Sequence, residues 1–151
     1  MNYQQYIYLN STDSVQFYPT NSPGHFYSKL PQVLNFKGLW ECALLQLQYV
    51  NSYFSGTESP RNLYICSNIC SESTLFEKKI PVLRRVNNLL GTDLLNQTIE
   101  VDIKNLIYIP IIGESTDVIS IYIIDDSSNP VVFSEGPVRV TLHLRQVRAF
   151  I

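Results

Sequence analysis

The last third of the chain alternates strand and turn so closely that little else fits it. Residues 117–126 read DVISIYIIDD, and SSNP, VVF, SEGP and VRVTLHLRQVR follow as far as 148. β-Branched and aromatic residues fill the runs, while Ser, Asn, Pro and Gly fill the gaps, as in short strands joined by tight turns. Val138, Val140, Leu142 and Leu144 alternate with Arg139, Thr141, His143 and Arg145. That alternation predicts one face in a core and one in solvent.

Most of the remaining sequence reads the same way. Strands or extended pieces are expected over 3–9, 15–18, 25–29, 33–36, 63–70, 74–82, 98–103 and 106–112, the last bent by Pro110. Leu30-Pro31 is expected to stop one strand, and 19–24 is a loop with two prolines and a glycine. Residues 84–96 look least like strand and leave room for a helical turn. In 39–49, Trp40, Cys42 and Leu44 share one face of a strand, whereas Leu45, Leu47 and Tyr49 share the other. A β-bulge near Leu44-Leu45 would produce that swap. The competing reading is a helix, since Leu39, Ala43, Leu47 and Val50 have helical spacing. Strand is preferred. Eight to ten strands in one domain, 1–151, predict an all-β, antiparallel β-sandwich or barrel.

Composition narrows the function. A chain of 151 residues can bury a proper core. Only 16% of it is charged, yet it has 10 Tyr and 7 Phe, which suits a surface partly covered by other protein as well as half-buried strands. A net charge of −2 excludes a basic nucleic-acid binder as a whole. Arg139, Arg145 and Arg148 stand in an acid-free tail and are expected on a solvated strand face. Cys42, Cys66 and Cys70 are an odd set without a zinc spacing, and read as small core residues. The polar N-terminus and the lack of a long apolar run predict no secretion signal and no membrane span. Synthesis inside the cell, in cytoplasm or nucleus and without secretion, is the expectation.

Catalytic constellations are not apparent. A cupin-type metal centre needs about three histidines and a carboxylate, and the chain has only His25 and His143. No GxSxG or glycine-rich phosphate loop occurs. Asp125-Asp126 precedes Ser-Ser-Asn-Pro, where aspartate commonly opens a turn. No catalytic, cofactor or metal residue is therefore expected, and the chain reads as a non-enzyme.

Two stretches carry a resemblance. In residues 8–49 a strand ends in a small-polar run, followed by Tyr18-Pro19, Asn21, Phe26, Leu30-Pro31, Gly38, Trp40-Glu41, Ala43-Leu44 and Tyr49. The second stretch has Asp125, Pro130, Phe133, Gly136 and the ending Leu142-His143-Leu144-Arg145. Together they resemble the penton, or minor capsid, proteins of Polinton transposons and adintoviruses. Members have Val and Glu where this chain has Cys42 and Gln46. The resemblance implies a single jelly roll of about eight strands. It also implies homopentamers at the vertices of an icosahedral virion whose faces are a double jelly-roll major capsid protein. Trp40 would anchor the core with Leu44, Ile121, Ile123, Val140 and Leu142. Pro19, Asn21 and Pro23 in one loop, and Tyr53 and Phe54 in the loop 52–62, would be interface or display residues.

The rival reading is a jelly-roll module that binds carbohydrate or a host receptor. Tyr53-Phe54 is the aromatic pair suited to that role. A domesticated, transposon-derived capsid-like protein would carry the same sequence features.

Overall fold

The computed structural model describes residues 3–53, 59–88 and 95–148. Strands in chain order are β1 (Gln4–Asn10), β2 (His25–Asn35), β3 (Leu39–Val50), β4 (Asn62–Ser67), β5 (Ser73–Leu75), β6 (Lys78–Ile80), β7 (Val82–Asn87), β8 (Thr98–Asp102), β9 (Ile109–Pro110), β10 (Ser115–Ile124) and β11 (Arg139–Arg148). One sheet runs β1-β11-β3-β8, with β9 also on β3; the other runs β2-β10-β4-β7. Every pairing is antiparallel. Without the short β5, β6 and β9, this is the eight-strand, two-sheet order of a jelly roll.

The two sheets close on one apolar layer. Ile7, Leu142 and Leu44 form one cross-strand row, and Leu9, Val140 and Leu47 form the next. Phe26, Ile119, Ile121, Ile123, Leu63 and Ile65 face them from the other sheet, all fully buried. Five of the six expected anchors, Leu44, Ile121, Ile123, Val140 and Leu142, are therefore central. Trp40 is not. It is half-buried at the rim, edge-on to Phe36 at 5.9 Å, and its Nε1 donates to the Lys37 carbonyl at 2.9 Å. As the second residue of β3 it sits where the sheet ends.

The face swap in β3 is a bulge. Thr141 pairs with Gln46 and Leu142 with Leu44, so Leu45 is the extra residue. The bulge keeps Cys42, Leu44, Leu47 and Tyr49 all on the core side.

Other expectations needed correction. Residues 15–17, expected within an extended piece over 15–18, turn instead. The two strands expected on either side of Pro31 are one, β2. Its pairing with β10 jumps from Lys29↔Val118 to Leu34↔Thr116, so Pro31 lies in a bulge of an edge strand, where a missing N–H costs no ladder bond. The strand expected over 63–70 ends at Ser67, and a turn at Asn68-Ile69 follows. The single strand expected over 74–82 is the β5–β6 hairpin, turned by Phe76 and Glu77 with φ of 53° and 62°. It roofs a second apolar cluster of Tyr64, Cys66, Ile80 and Ile124 on the outer side of its sheet. Of the region 84–96, where a helical turn is the expectation, residues 84–87 belong to β7 and residues 89–94 lie outside the described residues. Of 106–112 only Ile109 and Pro110 form a strand, and 131–133 makes only the Tyr53↔Phe133 bridge.

The cysteines are free and buried. Contact with the Cys70 thiol, together with burial, pushes the Cys42 thiol up, and burial pushes Cys66 up to about 12. Thiols held protonated in this way are poor nucleophiles and poor metal ligands.

Candidate functional site

Jelly-roll connectivity sends the β1–β2, β3–β4, β7–β8 and β10–β11 connections to one end of the sandwich, the last of them 125–138. Three of them meet on 125–138 or on one another by direct bonds. Ser52 Oγ accepts from the Glu135 amide at 2.9 Å, and the Ser134 amide donates to the Ser52 carbonyl at 3.1 Å. The Ile123 amide donates to the Gly24 carbonyl at 2.9 Å, and a side chain on Gly24 would meet the Val131 carbonyl oxygen at 2.2 Å. Pro23 packs on Gly136, which precedes a cis Pro137.

Asn88 is the hub of this end. Its Oδ1 accepts from the Tyr49 hydroxyl at 2.5 Å. Its Nδ2 donates to the Pro60 carbonyl at 2.9 Å and to the Tyr53 hydroxyl at 3.1 Å. Burial raises the pKa of both tyrosines, so each hydroxyl keeps its proton. Asn88 is itself buried, and nothing in its local sequence marked it; its partners come from separate parts of the chain.

The expected interface residues divide. Pro19 is exposed. Asn21 is tied to the backbone of Tyr27, donating to its carbonyl and accepting from its amide at 2.9 Å each. Tyr53 is half-buried, with its ring 5.8 Å from Phe133. Asn21, Pro23 and Tyr53 thus build the loop end rather than stand out from it, because each spends its polar or apolar surface on a neighbouring segment. Phe54 lies outside the described residues. Asp125 opens a turn as expected: its Oδ1 accepts from the amides of Ser127 and Asn129 at 2.9 Å each. Asp126 accepts from the Tyr64 hydroxyl at 2.9 Å and from Asn62. A groove of about 300 Å³ lies between Tyr53, Pro60, Asp125, Asn129 and Val132.

The outer face of the first sheet holds a second cluster that the alternation of β11 does not reveal. His143 was expected in solvent, yet it is buried. Tyr6 of β1 stacks on it at 4.8 Å between centroids. Its Nε2 meets Gln4 Oε1 at 2.9 Å and its Nδ1 meets the Tyr108 hydroxyl at 2.9 Å. An amide oxygen only accepts, so Nε2 carries the proton and Nδ1 accepts from Tyr108. Burial, and then Arg145, lower the His143 pKa and favour this neutral form. Arg145 lies over the Tyr108 ring at 3.5 Å and its Nε donates to Glu41 at 2.6 Å. The arginine face is thus partly occupied by its own sheet.

His25 is on the outer side of the other sheet, beside Tyr27 and Tyr122. Among the described residues, no three His, Cys, Asp or Glu side chains could hold a metal ion together. No helix there is long and apolar enough to cross a membrane. No family model matches the chain, and no curated protein matches it.

Proposed function

We propose that this protein is a minor capsid subunit that assembles in fives at the vertices of an icosahedral virion, against a double jelly-roll shell protein. In this reading it has no catalytic role and works by contact with copies of itself and with the shell. The observation that carries the proposal is the strand order, β1-β11-β3-β8 facing β2-β10-β4-β7. It joins the penton-like sequence stretches to the single jelly roll they imply. The surface supports it: Tyr3, Tyr6 and Tyr8 are 63%, 51% and 75% exposed along one edge strand and its approach. Aromatic rings in solvent suit burial against protein.

Imaging of the purified protein at high concentration by negative-stain electron microscopy tests this. Class averages with five-fold symmetry are expected; averages of another symmetry contradict it. A second reading, a module that binds sugar or receptor, is favoured by the groove that sets the Tyr53 ring beside Asp125 and Asn129.

A further inference from the structure

We propose that the flank formed by β1 and β2 is a socket for Leu106 and Ile107 of a second copy of this chain. The inference rests on the vertex reading and supplies its subunit contact.

The socket is a groove of about 440 Å³ between two edge strands, lined by Tyr6, Tyr8, Leu30, Pro31, Val33 and Leu34 among others. Neither 5–8 nor 30–35 contains a charged residue. The bulge at 30–33 takes these residues out of register with β10 and leaves Val33 54% exposed. Pro31 has no N–H to offer at its centre. An added strand would lose a ladder bond there, so the flank suits side chains better than a backbone.

The opposite flank carries the matching projection. Leu106 and Ile107 are exposed, Ile107 to 54%, in a neutral run from Asn105 to Ile109. The projection is anchored on both sides. Arg84 Nη1 donates to the Asn105 carbonyl at 2.8 Å, and the Ile103 amide donates to the Leu45 carbonyl at 2.9 Å. The run from Asn105 to Ile109 and the socket lining are themselves uncharged, so Leu106 and Ile107 enter the groove without carrying an ion out of water.

Socket and projection also lie at one level. Gln5 pairs with Leu144, Leu144 with Cys42, and Cys42 with Ile109. This row crosses the sheet from the socket wall to a residue two positions after Ile107, about 14 Å away at about 4.8 Å per strand. A patch on one side that fits a different patch on the other makes a head-to-tail contact. Such a contact closes into a ring when successive copies do not climb along the axis.

Cross-linking tests this directly. Gln32→Cys sits beside the socket and Asn105→Cys beside the projection, both exposed. The full chain is made with each change alone, with both, and with both plus Val33→Asp, and is treated with a short bifunctional thiol reagent. The paired variant is expected to give a ladder of covalent multimers about tenfold above either single variant, and Val33→Asp to remove it. A paired variant no more cross-linked than the single ones overturns the socket, whatever mass the untreated protein has. A ladder that Val33→Asp leaves intact overturns it too. Five-fold rings without this cross-link would leave the vertex reading standing and the socket refuted. A ladder closing at another number would support the socket and refute the vertex reading.

Discussion

The Tyr49 hydroxyl and the Asn88 carboxamide meet at 2.5 Å inside the loop end, joining the end of β3 to the residue that leaves β7. Both side chains are buried, so neither has water as a substitute partner. Asn88→Ala would strand the Tyr49 hydroxyl and release the Pro60 carbonyl. A loss of about 1–3 kcal/mol is expected by urea unfolding, the cost of leaving buried polar groups unpaired. Tyr49→Phe should cost less, because Asn88 keeps its Nδ2 bonds. Equal effects would argue against the hub.

Gly24 is required for a different reason. Its backbone lies against the Val131 carbonyl, and a methyl group there would be 2.2 Å from that oxygen. Gly24→Ala is expected to cost about 1–3 kcal/mol through overpacking. Gly113 has φ of 84° with nothing within 4 Å of an added methyl, so its demand is conformational alone. Gly113→Asn should therefore be tolerated better than Gly113→Ala, since asparagine enters that region more readily. Thermal unfolding of the three variants checks the contrast.

The core makes its own ranking. Leu142 lies at the centre, paired between Ile7 and Leu44, and Leu142→Ala should cost about 2–5 kcal/mol. Trp40 is half-buried at the rim, so Trp40→Ala should cost only about 1–2 kcal/mol despite the larger side chain. The reverse order in denaturant unfolding would put Trp40 back at the centre.

These contrasts show which parts of the fold the sequence carries. Period-two alternation in β11 identifies the core residues Val140 and Leu142, and a break in that alternation identifies the bulge at Leu45. Such signals are local, and a single strand contains them. The hairpin at Phe76-Glu77 has none of the Asn or Gly that normally marks positive φ in both turn positions, so it reads as continuous strand. Proline at 31 reads as a stop because the sequence does not say that β2 is an edge. His143 reads as solvated because Tyr6, Gln4 and Tyr108 reach it from other parts of the chain. Asn88 is missed likewise: its bonds come from residues distant in sequence. Pro19 and Asn21 mark the loop correctly as a loop, but not whether its side chains point outward or brace the end.

The neutral His143 predicts a pH dependence. Its folded pKa is depressed from the ordinary value of 6.5, so the unfolded chain takes the proton first as pH falls. The stability it contributes is full above about 6.5 and is lost on acidification through its folded pKa. A proton NMR titration of the imidazole should give a midpoint below 6.5, and His143→Gln should flatten the acid side of the stability profile. A midpoint at or above 6.5 would mean that the ring is not buried beside Arg145 as described.

Mass in solution tests the central claim most directly. Light scattering over a concentration series should reveal a species of five times 17.3 kDa that grows with concentration, without larger open-ended aggregates. A single species of 17.3 kDa at every concentration, persisting when the shell protein is added, would contradict a vertex protein.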